Sequence, residues 1–279
     1  MTQPRPAPGD LRARALAVKR RFLAMYAAAH AGHVGSSLSC TEMLVHLRFA
    51  WMEPEDELVL SKGHAAAVLY AVLAEAGMLP PGELDTFSKD GTLLSAHPPL
   101  GGIRGIPFAT GSLGHGLSLA AGMALAARLR GERKRFFCVT SDGELDEGSV
   151  WEAALFIHHH GLRNLVWLID RNMLQGIGRT EEVLALEPLG AKLEAFGFHA
   201  VTADGHDFTS LARARELCCR DEPRMRPRAV ICATRKGRGI EGLEDTVDCH
   251  YLPLTPPQHA QVLRTLEAEE KERGEGHEG

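Results

Sequence analysis

From Leu11 to Ala31 the chain reads LRARALAVKRRFLAMYAAAHA, with apolar residues every three or four positions and basic residues between them. That spacing predicts one long amphipathic helix, and Gly32 ends it. The same rhythm predicts helices over 39–51, 64–77, 113–130 and 147–160, punctuated by Gly and Pro. Beyond residue 134 the pattern changes. Short apolar runs, RFFCVT (135–140), NLVWLID (164–170), FHAVTA (198–203) and RAVICAT (228–234), alternate with helical segments, one of them near 186–196. Runs of Val, Ile, Leu and Phe separated by helices read as strands buried on both faces. The predicted fold class is therefore α/β: a parallel twisted sheet with helices on both faces, which binds ligands beyond the carboxyl ends of its strands.

Composition adds limits. The 279 residues suit one large domain, 44% of them are hydrophobic, and 31 Lys and Arg against 36 Asp and Glu leave a net charge of −5. Without a dense basic run inside the chain, nucleic acid is not an expected partner. Six cysteines, Cys40, Cys138, Cys218, Cys219, Cys232 and Cys249, lack paired metal-ligand spacing and read as reduced, mostly core thiols. The start, MTQPRPAPGD, has no apolar core of a signal peptide, and no run approaches the length of a membrane span. A cytoplasmic protein with no membrane partner is the expectation. The domain is placed at 11–262, with residues 1–10 and a charged tail at 263–279 expected to be disordered for want of apolar anchors. No internal repeat is present.

The run RFFCVT leads straight into Ser141-Asp142-Gly143, which puts a carboxylate at a strand's carboxyl end beside a glycine that permits close backbone approach. NLVWLID ends at Asp170-Arg171-Asn172, and Asn172 lies thirty positions after Asp142, so one crossover helix would set the two side by side. Two hard oxygen donors suit Mg²⁺, which takes octahedral oxygen ligands at about 2.1 Å and keeps phosphates and water among them. Alone, each residue has an ordinary use: Asp142 as a helix cap and Asn172 as a turn residue. His158, His159 and His160 form no metal site by this reading, because adjacent helical positions point to different faces.

Ser141-Asp142-Gly143, the thirty-residue spacing and Asp170-Arg171-Asn172 together resemble the GDG…N motif of thiamine-diphosphate enzymes. GHVG (32–35) resembles the GHPG of transketolases, SKGH (61–64) their SNGH or SKGH, and TGSLGHG (110–116) their TGPLGQG, with HP at 97–98 between them. The motifs follow the family's order and span roughly residues 11–252. The resemblance implies thiamine diphosphate with Mg²⁺ or Ca²⁺, the metal held by Asp142, Asn172 and the main-chain carbonyl of Leu174. It implies cofactor contacts at His64, Gly111, Ser112, Leu113, Gly143, Glu144, Asn172 and His250. His33, His64, His97 and His250 then surround the reacting carbon and the substrate oxygens, and Glu147 takes a secondary catalytic role at a subunit interface. Imidazoles suit such chemistry because they exchange protons near neutral pH. Two departures stand out: Ser141 replaces the first glycine of GDG, and Val247 replaces the first histidine of the tail motif, leaving His250.

A full transketolase carries, after this domain, a pyrimidine-binding domain with an activating glutamate and then a C-terminal domain. The resemblance thus implies a separately encoded partner subunit with those parts, an α2β2 heterotetramer, and a sugar as small-molecule substrate. The expected reaction is transfer of a two-carbon ketol unit from a ketose to an aldose. Two alternatives remain open: a pyruvate-dehydrogenase-like subunit that delivers a two-carbon acyl unit to a lipoyl carrier, and a scaffold subunit without chemistry. A metal-dependent hydrolase would need a motif such as HExxH, which is absent from the sequence.

Overall fold

The computed structural model describes residues 6–220 and 226–275. Its elements, in chain order, are α1 (Pro8–Ala29), α2 (Val34–Ser39), α3 (Thr41–His46), β1 (Glu57–Leu60), α4 (Ala66–Glu75), α5 (Gly116–Leu129), β2 (Phe136–Ser141), α6 (Gly148–His159) and β3 (Leu165–Arg171). There follow α7 (Thr180–Val183), α8 (Leu189–Ala195), β4 (His199–Asp204), α9 (Phe208–Cys219), β5 (Arg228–Ala233), α10 (Asp248–Tyr251) and α11 (Pro256–Glu275). The strands form one all-parallel sheet in the order β1-β2-β3-β5-β4.

Strand residues alternate between two cores, as the two-residue period of a strand requires. Phe137, Val139, Val166, Leu168, Val230 and Cys232 pack into the core formed with α1, α3, α4 and α9. Phe136, Cys138, Leu165, Trp167, Ile169 and Ile231 face the other, formed with α5, α6 and α8. Burial on both faces explains why the runs lack polar alternation. The α/β expectation holds.

Register sets the functional edge. Ser141 pairs with Asp170, Asp170 with Cys232, and Asp204 with Ala233, so the segments that leave β1, β2, β3, β4 and β5 emerge together at one end. The segment expected to be one helix over 39–51 is divided into α2, which begins before it, α3 and a π-helical turn at Leu47–Trp51. Strand β1 carries no expectation from the sequence. Its four residues, ELVL, follow the charged run EPED and are too short for a periodicity to register.

The frayed ends expected at 1–10 and 263–279 are corrected as far as the described residues reach. Helix α1 starts at Pro8, a residue preorganised for a first helical turn, and the backbone NH of Ala7 donates to Asp10 at 3.3 Å. Helix α11 runs to Glu275; Val262 and Leu266 are its apolar anchors in the core, and Arg20 of α1 pairs with Glu270 at 2.7 Å. Residues 1–5 and 276–279 lie outside the described residues. Among the described cysteines, which are all free, Cys219 is exposed and the other five are buried. No helix among the described residues is long and apolar enough to cross a membrane.

Candidate active site at the carboxyl edge of the sheet

Three of the four expected histidines meet ring to ring. His33 follows α1 in the left-handed conformation, φ 73°, and its backbone NH donates to the carbonyl of His250 at 2.9 Å. Ring centroids lie 4.9 Å apart for His33 and His250, 5.7 Å for His33 and His64, and 5.6 Å for His64 and His250. The ring of His97 covers Gly111, where a Cβ would come within 2.9 Å of it.

All four imidazoles are held neutral. Burial lowers the pKa of His64 well below the ordinary value, helped by the charge of Lys62. Burial and then Lys236 push His250 down to about 3. Burial does most of the work for His33, with His97 second, and accounts for the lowering at His97 itself.

The oxygen donors sit one layer deeper. Asp142, 1% exposed, accepts from the NH of Gly143 at 2.8 Å through one oxygen, and from the NH of Met173 at 2.6 Å and the Thr180 hydroxyl at 3.1 Å through the other. Burial, seconded by Asp170, pushes its pKa up to about 6. The Asn172 amide oxygen accepts from the NH of Leu174 at 3.2 Å. Lys236, on the loop after β5, donates to the Leu174 carbonyl at 2.8 Å and shares a 2.6 Å hydrogen bond with Nδ1 of His250. That lysine joins the donor set to the histidines, and burial followed by repulsion from Lys62 lowers it to about 8.

Under this layer lies an ion pair of Lys62 and Asp170, both fully buried. Burial opposes either charge, yet each holds the other ionised, and Ser39 and Thr234 donate to Asp170 as well. The pair ties the SKGH segment after β1 to the end of β3.

A helix-opening cradle completes the edge. The backbone at Gly111 and Gly114 has φ of 153° and 85°, regions that glycine tolerates. Gly63 packs so tightly on this segment that a Cβ there would stand 2.7 Å from the amide nitrogen of Gly111. Ser112 is exposed and Leu113 half-buried, just ahead of α5. Gly143 leaves room for Gln175, whose Cγ would lie 2.8 Å from an added Cβ.

Two expected residues are placed differently from the rest. The Glu144 carboxylate points into the protein, accepting from the Ser61 hydroxyl, from the NH of Gly114 at 2.9 Å and from the NH of Ser141 at 3.4 Å, so it braces the cradle from behind. Glu147 is exposed at the N-cap position of α6 with its Cβ beside Gly114. Sequence reasoning missed Lys236, Lys62 and Ser36. Lys236 stands at a strand's carboxyl end, the criterion that singled out Asp142, but no motif in the sequence marks it.

The donor set fits a hard cation and a diphosphate. It offers one carboxylate, one amide oxygen and one peptide carbonyl, with no group of three His, Cys, Asp or Glu among the described residues that would favour a softer metal. The buried Ser36 hydroxyl has no hydrogen-bond partner, which leaves a polar group available to a ligand.

A parallel sheet with hard oxygens, a lysine and neutral imidazoles at its carboxyl edge defines a diphosphate-cofactor-binding α/β domain. The chain belongs to the transketolase N-terminal family: the family model described as transketolase, thiamine diphosphate binding domain, matches residues 13–273. It is 38% identical over 269 residues to the 6-deoxy-6-sulfo-D-fructose transketolase subunit SqwG of Clostridium sp. (strain MSTE9), covering 93% of this chain and 97% of that one. It is 37% identical over 252 residues to an apulose-4-phosphate transketolase subunit of Actinobacillus succinogenes, covering 87% and 90%. Among solved structures, transketolase from Campylobacter jejuni superposes with a TM-score of 0.85 at 26% identity, over 92% of this chain and 42% of that one. The chain thus spans nearly the full length of the subunit relatives and less than half of the full-length enzyme.

Proposed function

We propose that this chain is the diphosphate-binding subunit of a two-chain, thiamine-diphosphate-dependent transketolase that moves a two-carbon ketol unit from a ketose to an aldose. The observation that carries the reading is the convergence of His33, His64 and His250 with Lys236 above Asp142, Asn172 and the Leu174 carbonyl. When bound, thiamine diphosphate supplies the carbon nucleophile that a ketol transfer needs. Asp142, Asn172 and Leu174 are the proposed ligands of Mg²⁺ or Ca²⁺, and Lys236, Ser36 and the Gly111–Gly114 cradle the proposed contacts to diphosphate. His33, His64, His97 and His250, kept neutral, are proposed to take protons from and return them to substrate hydroxyl and carbonyl oxygens. Glu147, exposed beside the cradle, is the proposed contact to a neighbouring subunit.

The two subunit relatives are named for a sulfonated and a phosphorylated ketose. An anionic ketose is the corresponding proposal here. A separately encoded subunit with the pyrimidine-binding and C-terminal parts, in an α2β2 assembly, is proposed from the same names and the matching lengths, and the free thiols fit a cytoplasmic setting. Exposed apolar side chains on Leu100, Leu129, Leu155, Ile177 and Leu184 offer surface for such a partner.

Calorimetric titration of thiamine diphosphate tests the reading, with and without Mg²⁺, into the chain alone and together with the partner subunit. Mg²⁺-dependent binding that tightens with the partner is expected, and Asp142→Ala removes it. Unchanged affinity in Asp142→Ala sinks the proposed site.

A further inference from the structure

A second buried polar cluster lies behind the site, and nothing in the proposed chemistry uses it. Glu42 of α3, Lys19 of α1 and His206 of the β4–α9 loop meet with side-chain exposures of 8%, 11% and 5%. Lys19 pairs with one Glu42 oxygen at 2.7 Å, and Nδ1 of His206 lies 3.0 Å from the other. The far ring nitrogen, Nε2, accepts the backbone NH of Arg235 at 2.9 Å. Since Nε2 accepts, its proton is on Nδ1, which donates to Glu42; the carboxylate fixes both ring orientation and tautomer.

Arg235 immediately precedes Lys236. The segment leaving β5 is fastened step by step: Thr234 NH to the Arg171 carbonyl at 3.1 Å, Gly237 NH to the Gly35 carbonyl at 3.2 Å, and Asp245 NH to the Lys236 carbonyl at 2.9 Å. Of the amides at 234, 235 and 237, that of Arg235 alone is held by a side chain. A cavity of about 780 Å³ whose lining includes Lys19, His206, Thr234, Arg235 and Arg238 lies beside this tether.

We propose that Glu42 and His206 are positioning residues for Lys236: the Glu42–His206 pair grips the Arg235 amide and so aims the Lys236 ammonium at the Leu174 carbonyl and His250. The inference rests on the reading of this edge as the diphosphate site. The dehydrated Lys19–Glu42 ion pair contributes little net stability by itself, because desolvation offsets its attraction, but it fixes the carboxylate to which the neutral His206 ring donates.

A double-mutant cycle separates positioning from plain structural support. Thiamine diphosphate with Mg²⁺ is titrated into the full chain as wild type, His206→Ala, His206→Gln, Lys236→Ala and His206→Ala/Lys236→Ala. His206→Ala is expected to weaken binding about tenfold, the scale of one lost hydrogen bond at the upper end of its range. His206→Gln, whose amide can accept from Arg235 and donate to Glu42, restores most of it. In the Lys236→Ala background, His206→Ala changes affinity by less than about twofold. Should His206→Ala fail to fold, Glu42→Gln run through the same cycle gives the same comparison. Equal losses in both backgrounds, or no loss in either, overturn the inference while wild-type binding upholds the site. No binding by the wild type overturns the site reading and this inference with it.

Discussion

A histidine whose pKa is pushed below the ordinary imidazole value reports its surroundings. His250 and His64 stand among Lys62, Lys236 and each other, so a proton added to either meets both burial and positive charge. Their folded pKa values lie below the ordinary 6.5, and the unfolded chain therefore binds protons more readily than the folded one in acid. The stability tied to this difference is fully present above about 6.5 and is lost as the pH falls toward the folded value, about 3 for His250. Urea unfolding between pH 7 and 4.5 should show a midpoint that falls with acidification, and His250→Gln should make that fall shallower. An unchanged slope would place the acid sensitivity elsewhere. At this scale the sequence already displayed His33, His64, His97, His250, Asp142 and Asn172, because each stands in a motif or at a strand end. Lys236, Ser36 and His206 were hidden, since what they hold is a carbonyl, an unpartnered buried position and an amide contributed by distant segments.

Two glycines separate the cost of geometry from the cost of composition. A methyl group at Gly63 would strike the Thr110–Gly111 backbone, which cannot swing aside as a side-chain tip can. Gly63→Ala should cost about 1–3 kcal/mol of folding stability and weaken cofactor binding together, because the cradle itself must shift. Gly122, exposed within α5 with nothing near its Cβ position, lacks that constraint. Gly122→Ala should stabilise the chain by about 0.5–1 kcal/mol with no effect on binding. Denaturant melts and titrations on both variants check the contrast. The elements themselves were legible where period and length agreed: the four apolar runs became β2 to β5, with β2, β3 and β4 each displaced one residue toward the carboxyl end and β5 ending one residue sooner, at Ala233. Strand β1 was not, for four residues hold no pattern, and its place at the sheet edge is fixed by pairing with β2 instead. Residues 263–275, expected to be a charged tail, continue helix α11, because the charges after Leu266 mask the anchoring of Leu263 and Leu266, which join Val262 at the core.

For the whole molecule, the two cores on either side of the sheet fix the strand exits, and the site gathers residues from those of β1, β2, β3 and β5 with His33 from the α1–α2 junction. A cofactor that bridges several of them binds the folded chain and not the unfolded one. Thermal unfolding should therefore shift upward with thiamine diphosphate and Mg²⁺ together, by about 2.7 kcal/mol at a hundredfold excess over Kd. Chelation of the metal should reverse the shift in wild type and have no effect in Asp142→Ala. A shift without metal would contradict the oxygen set as the anchoring point.

The 2.9 Å bond between the backbones of His33 and His250 joins residues more than two hundred positions apart. Synthesis runs from the amino end, so the first histidine of the cluster must wait, already made, until almost all of the described chain has followed it. Closing so long a loop is slow, and little of the catalytic edge can pre-exist as a local fragment. Newly made molecules are thus ligand-blind until the segment that carries His250 has been made, and a partner or cofactor can select them only once α10 is in place.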